Sequence, residues 1–142
     1  MNKVVARFAD GRMIKGFTND FTTARTRFHV LPSDAPAGTK PVEVNAEELK
    51  ALFFVKGFTG DPAHQEANVF TPSRPTVGRK IRVVFKDGEV LIGTTQGYQK
   101  GRPGFFLVPA DAASNIERCY IVSAAAQEIT FIDPSNAPAA GR

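Results

Sequence analysis

A chain of 142 residues, 42% hydrophobic and 23% charged, has a globular composition and room for one ordinary domain or two very small ones. Its single cysteine excludes an intramolecular disulfide, and its longest apolar runs, 52–55 and 105–108, are far short of the roughly 20 residues that cross a bilayer. The net charge of +4 is unevenly placed, with +3 on residues 1–56 and zero on residues 80–133, and it lacks the dense basic clustering usual in nucleic-acid binders. No apolar leader follows Met1, so the expectation is a soluble, cytoplasmic protein without a membrane partner.

In chain order, Val4, Ala6 and Phe8 alternate with Val5 and Arg7, the period of two of a strand with one buried face. Asp10-Gly11 closes a hairpin, and the return strand carries Ile14 inward. Gly16 suits a bend or bulge in a curling sheet. After a polar loop, a third strand points Phe28 and Val30 inward and ends at Pro32, which has no ladder donor. Val42 and Val44 mark a short fourth strand. Residues 46–49 read as one helical turn, and Ala51 to Val55 as a fifth strand.

The pattern then starts again. Shifted by 77 residues, 3–34 aligns with 80–111 without a gap, and ten of the 32 positions are identical, among them Asp10/Asp87, Gly11/Gly88, Gly16/Gly93, Arg25/Arg102 and Phe28/Phe105. The match continues through Val44/Ile121, Leu52/Ile129 and Phe54/Phe131. The fold expected is all-β, two tandem five-stranded SH3-like or Sm-like small barrels related by internal duplication. Residues 1–58 form the first, 59–79 a linker in which Val69 and Phe70 could dock, 80–133 the second, and 134–142 a disordered tail.

The stretch Val83 to Gly93, V-x-F-x-D-G-x-x-x-x-G, resembles the first strand pair of Sm-like proteins. That resemblance implies RNA binding through an aromatic-Asp segment and a later Arg-Gly turn. Here Phe21 and Tyr98 are followed by Thr22 and Gln99 and the later turn is absent, so no RNA-contacting residue carries over. Asp10-Gly11, Lys15-Gly16-Phe17, Asp20-Phe21 and Leu49 to Lys56 are similar to an uncharacterised family of bacterial domains with the pattern D-G-x-x-x-K-G-[FY]-x-x-D-F and an ending close to L-K-A-x-F-F-V-K. The second copy departs from it at Ile92, Thr94 and Gly97-Tyr98. This resemblance implies an accessory module, often attached to signalling proteins, with no known activity.

Chemistry is sparse. Cys119 aligns with Val42 on an inward face and reads as a buried hydrophobe. His29 and His64 sit in unlike places, and no set of Cys and His converges for a metal. No phosphate loop, nucleophile elbow or H-E-x-x-H stretch is present. The chain is therefore expected to be no enzyme and to need no cofactor. The loop after the second strand is the candidate ligand or phosphate site, with Arg25, Arg27 and Phe21 in the first copy and Lys100, Arg102 and Tyr98 in the second. The same residues also fit solvated hairpin tips. The R-x-x-x-R and D-x-S-x-x-G pattern of cyclic-dinucleotide-binding PilZ domains is absent.

Six apolar residues fall on the wrong parity for the core of their own copy: Phe17, Phe53, Val55, Phe106, Val108 and Tyr120. They are the candidate interface, joining the two copies or a second chain. The function expected is a non-enzymatic binding or regulatory module whose partner is another protein, with weak nucleic-acid or phosphate-ligand binding through the basic loops as the alternative and an oligomer possible.

Overall fold

The computed structural model describes residues 1–58, 78–111 and 114–132. The readings of residues 59–77 as linker, of His64, Val69 and Phe70 within it, and of the tail 134–142 lie outside these residues. Among the described residues ten strands occur in order: β1 (Asn2–Phe8), β2 (Met13–Thr18), β3 (Arg27–Pro32), β4 (Val42–Asn45), β5 (Leu49–Val55), β6 (Arg79–Phe85), β7 (Val90–Thr95), β8 (Gly104–Pro109), β9 (Ile116–Val122) and β10 (Ala126–Phe131). A 3₁₀ turn precedes the last strand of each half, at Ala46–Glu48 and Ser123–Ala125. The elements of the second half follow those of the first at the same 77-residue spacing. Strand β6 begins at Arg79, which the sequence reading places in the linker.

The local reasons are the expected ones. Gly11 and Gly88 adopt φ of 98° and 93°, and the preceding aspartates close the turns: the Arg12 amide donates to Asp10 Oδ1 and the Glu89 amide to Asp87 Oδ1, each at 3.0 Å. Asn45 caps the first 3₁₀ turn, accepting from the Glu47 amide at 2.9 Å.

The halves do not form separate sheets. All ten strands join one open antiparallel sheet in the order β10-β6-β7-β8-β9-β5-β1-β2-β3-β4. The seam is β5–β9, where Ala51 faces Ile121, Leu52 faces Tyr120, Phe53 faces Cys119 and Phe54 faces Arg118. Strand β5 is therefore buried along its whole length. Leu52 and Phe54 enter a first core with Val4, Ala6, Phe8, Phe28 and Val30. Ala51, Phe53 and Val55 enter a second core with Ile81, Val83, Phe85, Leu91 and Leu107. Strand β9 divides likewise: Tyr120 and Val122 pack in the first core, Cys119 and Ile121 in the second.

The positions equivalent to the seam at the two outer edges are polar. Shifted by 77 residues, Ala51 and Phe53 become Glu128 and Thr130 on β10, both exposed. Phe106 and Tyr120 become His29 and Glu43 on β3 and β4, also exposed. His29 bonds Asp20 at 2.8 Å and Arg27 pairs with Glu43 at 3.1 Å. Val42, the counterpart of fully buried Cys119, is 39% exposed, because no strand covers β4. Charges and a short strand are how open sheet edges resist pairing with other chains.

Two glycines allow close backbone approach between the second and third strands of each half. A Cβ on Gly16 would lie 2.1 Å from the Leu31 carbonyl oxygen, and one on Gly93 2.0 Å from that of Val108. Both sit where the second and third strands of a half exchange only a short stretch of pairing. Gly16→Ala and Gly93→Ala must push backbone apart and should each cost about 2–3 kcal/mol in urea unfolding. Exposed Gly97→Ala, whose Cβ meets nothing within 4 Å, should be near neutral by comparison.

Candidate functional site

The loop residues expected to bind a ligand are placed as follows. Arg25, Lys100 and Arg102 are exposed hairpin-loop residues, held by turn bonds from the Arg25 amide to the Thr22 carbonyl and from the Arg102 amide to the Gln99 carbonyl. Arg27 is exposed, and its guanidinium is shared with Glu43. The aromatic residues beside these loops are engaged elsewhere. Phe21 packs edge-on against Phe28, Phe54, Phe106 and Tyr120, with ring centroids 5.1–6.3 Å away. Tyr98 packs against Phe105 at 4.9 Å and Phe131 at 5.4 Å. Stacking on a base requires an open ring face, and these rings are turned into the cores.

The six candidate interface residues divide. Phe53 and Val55 lie in the second core, while Tyr120, with Phe106 packed beside it, lies in the first. They do not pack face to face across a boundary; each reaches into the core of the opposite half. Phe17 is half-buried and meets Phe58 at 5.3 Å, and Val108 is 37% exposed. Arg118 covers the seam's aromatic cluster, its guanidinium 4.1 Å from the Phe54 ring and 4.7 Å from that of Phe106.

Two features of the seam were not expected from the sequence. The first is an ionic latch. Lys50 on β5 is 7% exposed and reaches the β6–β7 turn of the other half, donating to Asp87 Oδ2 at 2.7 Å and to Glu89 Oε1. Its ammonium also lies 4.6 Å from the Phe85 ring. The Lys50 bond, helped by the Glu89 amide and the nearby Arg7 charge, holds the Asp87 carboxyl below its ordinary value of 3.8. The only signal in the sequence is a difference between the copies: Lys50 aligns with Gln127, and Glu89 with Arg12, which serves Asp10 in its own turn.

The second is a groove of about 520 Å³ that opens across the seam. Its floor is Phe53 and Val55 of β5 with Leu91 of β7, all buried. Val5, Val90 and Ile116 form half-buried walls, and Met13, 49% exposed, stands at the rim. Arg7 and Lys15 are the rim cations and Glu89 the rim carboxylate. Lys15 donates a long 3.4 Å bond to the Phe58 carbonyl. Glu89 shares Lys50 with Asp87, and the two rim cations outnumber the one rim carboxylate, which leaves the rim electropositive. The parity that turns Val4, Ala6 and Phe8 inward is what turns Val5 and Arg7 to this face.

No group of His, Cys, Asp and Glu among the described residues could hold a metal ion. Cys119 is fully buried. No helix among the described residues is long and apolar enough to cross a membrane.

The latch should respond asymmetrically. Lys50→Met leaves two carboxylates that water can reach and should cost about 1 kcal/mol. Asp87→Asn with Glu89→Gln strands a buried ammonium and should cost about 3 kcal/mol. Because the Asp87 value is depressed by folding, its contribution is complete above 3.8 and is lost as pH falls through the lower folded value. Urea midpoints followed from neutral pH into the acid range should fall less steeply in Lys50→Met than in the parent.

Comparison with curated proteins and with solved structures returned no match. A family model, described as a family of unknown function (DUF6982), matches residues 1–133. The chain, with its ten-stranded sheet and the groove across its seam, belongs to that family.

Proposed function

We propose that the protein is a non-enzymatic binding module for another protein, built from two small SH3-like barrels that arose by duplication and share strands β5 and β9. The observation that carries this reading is the groove across the seam. It combines an apolar floor, an exposed methionine and an electropositive rim, at a place where both halves contribute. Concave apolar surface with a few placed polar groups is the usual form of a recognition site, and Met suits varied apolar partners.

Weak binding of nucleic acid or phosphate ligands through Arg25, Arg27, Lys100 and Arg102 is the second reading. Its support is the exposure of Arg25, Lys100 and Arg102. It is weakened by the inward packing of Phe21 and Tyr98 and by the pairing of Arg27 with Glu43.

A photo-crosslinking amino acid placed at position 13, and separately at 25 and 102, distinguishes the two in cells. The protein-binding reading predicts a discrete protein adduct from position 13, competed by excess parent chain but not by the Met13→Glu variant. Nucleic-acid adducts from positions 25 and 102, with none from 13, would transfer the function to the loops. The loops' own prediction is salt-sensitive oligonucleotide binding that Arg25→Ala with Arg102→Ala abolishes.

A further inference from the structure

Resting on the protein-binding reading, we infer that the groove takes an extended, acidic segment of its partner, in which carboxylate side chains alternate with aliphatic ones. The outward faces of β1 and β2 carry the recognition pattern. On β1 the outward residues are Lys3, Val5 and Arg7; on β2 they are Met13, Lys15 and Phe17. The register sets Lys3 against Phe17, Val5 against Lys15 and Arg7 against Met13. Each cation is thus paired across the strands with an apolar residue, giving a chequerboard of three positive and three apolar positions.

Residues two apart on a strand are about 6.5–7 Å apart, the same repeat as alternate side chains of an extended peptide. A segment lying along the groove can therefore set a carboxylate near Arg7 or Lys15 and an aliphatic side chain against Val5, Met13 or Val90 within one strand repeat. The stems of Lys and Arg add apolar contact while their heads stay at the rim. Among the described residues of the groove Glu89 is the one carboxylate, bonded to Lys50, and Arg7 and Lys15 outnumber it.

The same details disfavour nucleic acid here. Among the described residues of the groove the only aromatic ring is Phe53, 5% exposed and so closed to a stacking base.

The test is an NMR titration of the full, isotope-labelled chain with four probes of similar length. They are a peptide alternating Glu or Asp with Val or Leu, its Lys-for-acid counterpart, an acidic peptide with Ser in place of the aliphatics, and a single-stranded oligonucleotide. The inference predicts that the acidic-aliphatic peptide shifts the Val5, Met13, Lys15 and Val90 amides and binds at least tenfold more tightly than the other three. Arg7→Glu with Lys15→Glu should weaken that binding tenfold or more, while Arg25→Ala with Arg102→Ala leaves it unchanged. Thermal melts would confirm that both double variants remain folded; all four positions are exposed.

Equal binding of the cationic-aliphatic peptide at the same amides would overturn the acidic preference and leave the groove a protein site. Tighter binding of the oligonucleotide, lost on Arg7→Glu with Lys15→Glu, would make the face a nucleic-acid site and overturn the inference. If no probe moves the groove amides and position 13 also yields no protein adduct, the protein-binding reading falls with it.

Discussion

Strand β5 has no solvent face. It lies between β1 and β9 in the middle of the sheet, and its alternate residues serve two different cores. Strand β9 does the same from the other half. This double duty is the constraint on which the rest of the molecule depends. A half built only from its own residues would lose Tyr120 and Val122 from the first core, or Phe53 and Val55 from the second. Each such side chain contributes about 1.5–3 kcal/mol by burial, on a scale where an entire domain is stable by about 5–15 kcal/mol. The small halves are therefore joined by necessity, and the Lys50 latch and the Asn115 side chain, which bonds Gly57 through both its oxygen and its nitrogen, fasten the ends of the seam.

The arrangement is head to tail: the last strand of the first half pairs with the fourth strand of the second. A contact of this kind leaves one unused copy of each surface at the two ends and could continue indefinitely. The residues at those ends oppose continuation. Glu128 and Thr130 stand where Ala51 and Phe53 stand at the seam, and His29 and Glu43 stand where Phe106 and Tyr120 do. Pairing another chain there would bury Glu128 and the exposed Arg27–Glu43 pair, and their desolvation opposes it. The differences between the halves are thus concentrated where one half is covered and the other is not.

Much of this was legible in the sequence. The period of two, the Asp-Gly turns, the paired glycines and the 77-residue spacing place the strands and the 3₁₀ turns closely, because those signals are local. The wrong-parity residues Phe53, Val55, Phe106 and Tyr120 also flagged a buried contact. Parity alone could not say that they enter the opposite core, since that depends on which strands pair across 60 residues or more of chain. The latch and the groove were out of reach for the same reason. Lys50 is an ordinary strand lysine until β5 lies beside the β6–β7 turn. Arg7, Met13 and Lys15 are ordinary surface residues until the second half closes over the neighbouring strands.

A shared seam makes the two halves one cooperative unit, and the groove exists only while that unit is intact. Native-state hydrogen exchange of the parent chain and of Leu52→Ala tests this most directly. Leu52 is fully buried and packs in the first core, so its truncation should cost about 2–5 kcal/mol. The account predicts that the amides of β6 and β7 lose protection by nearly as much as those of β1 and β2. Loss confined to β1–β5, with the second half as protected as before, would mean that the halves unfold independently and that the seam is only a contact between them.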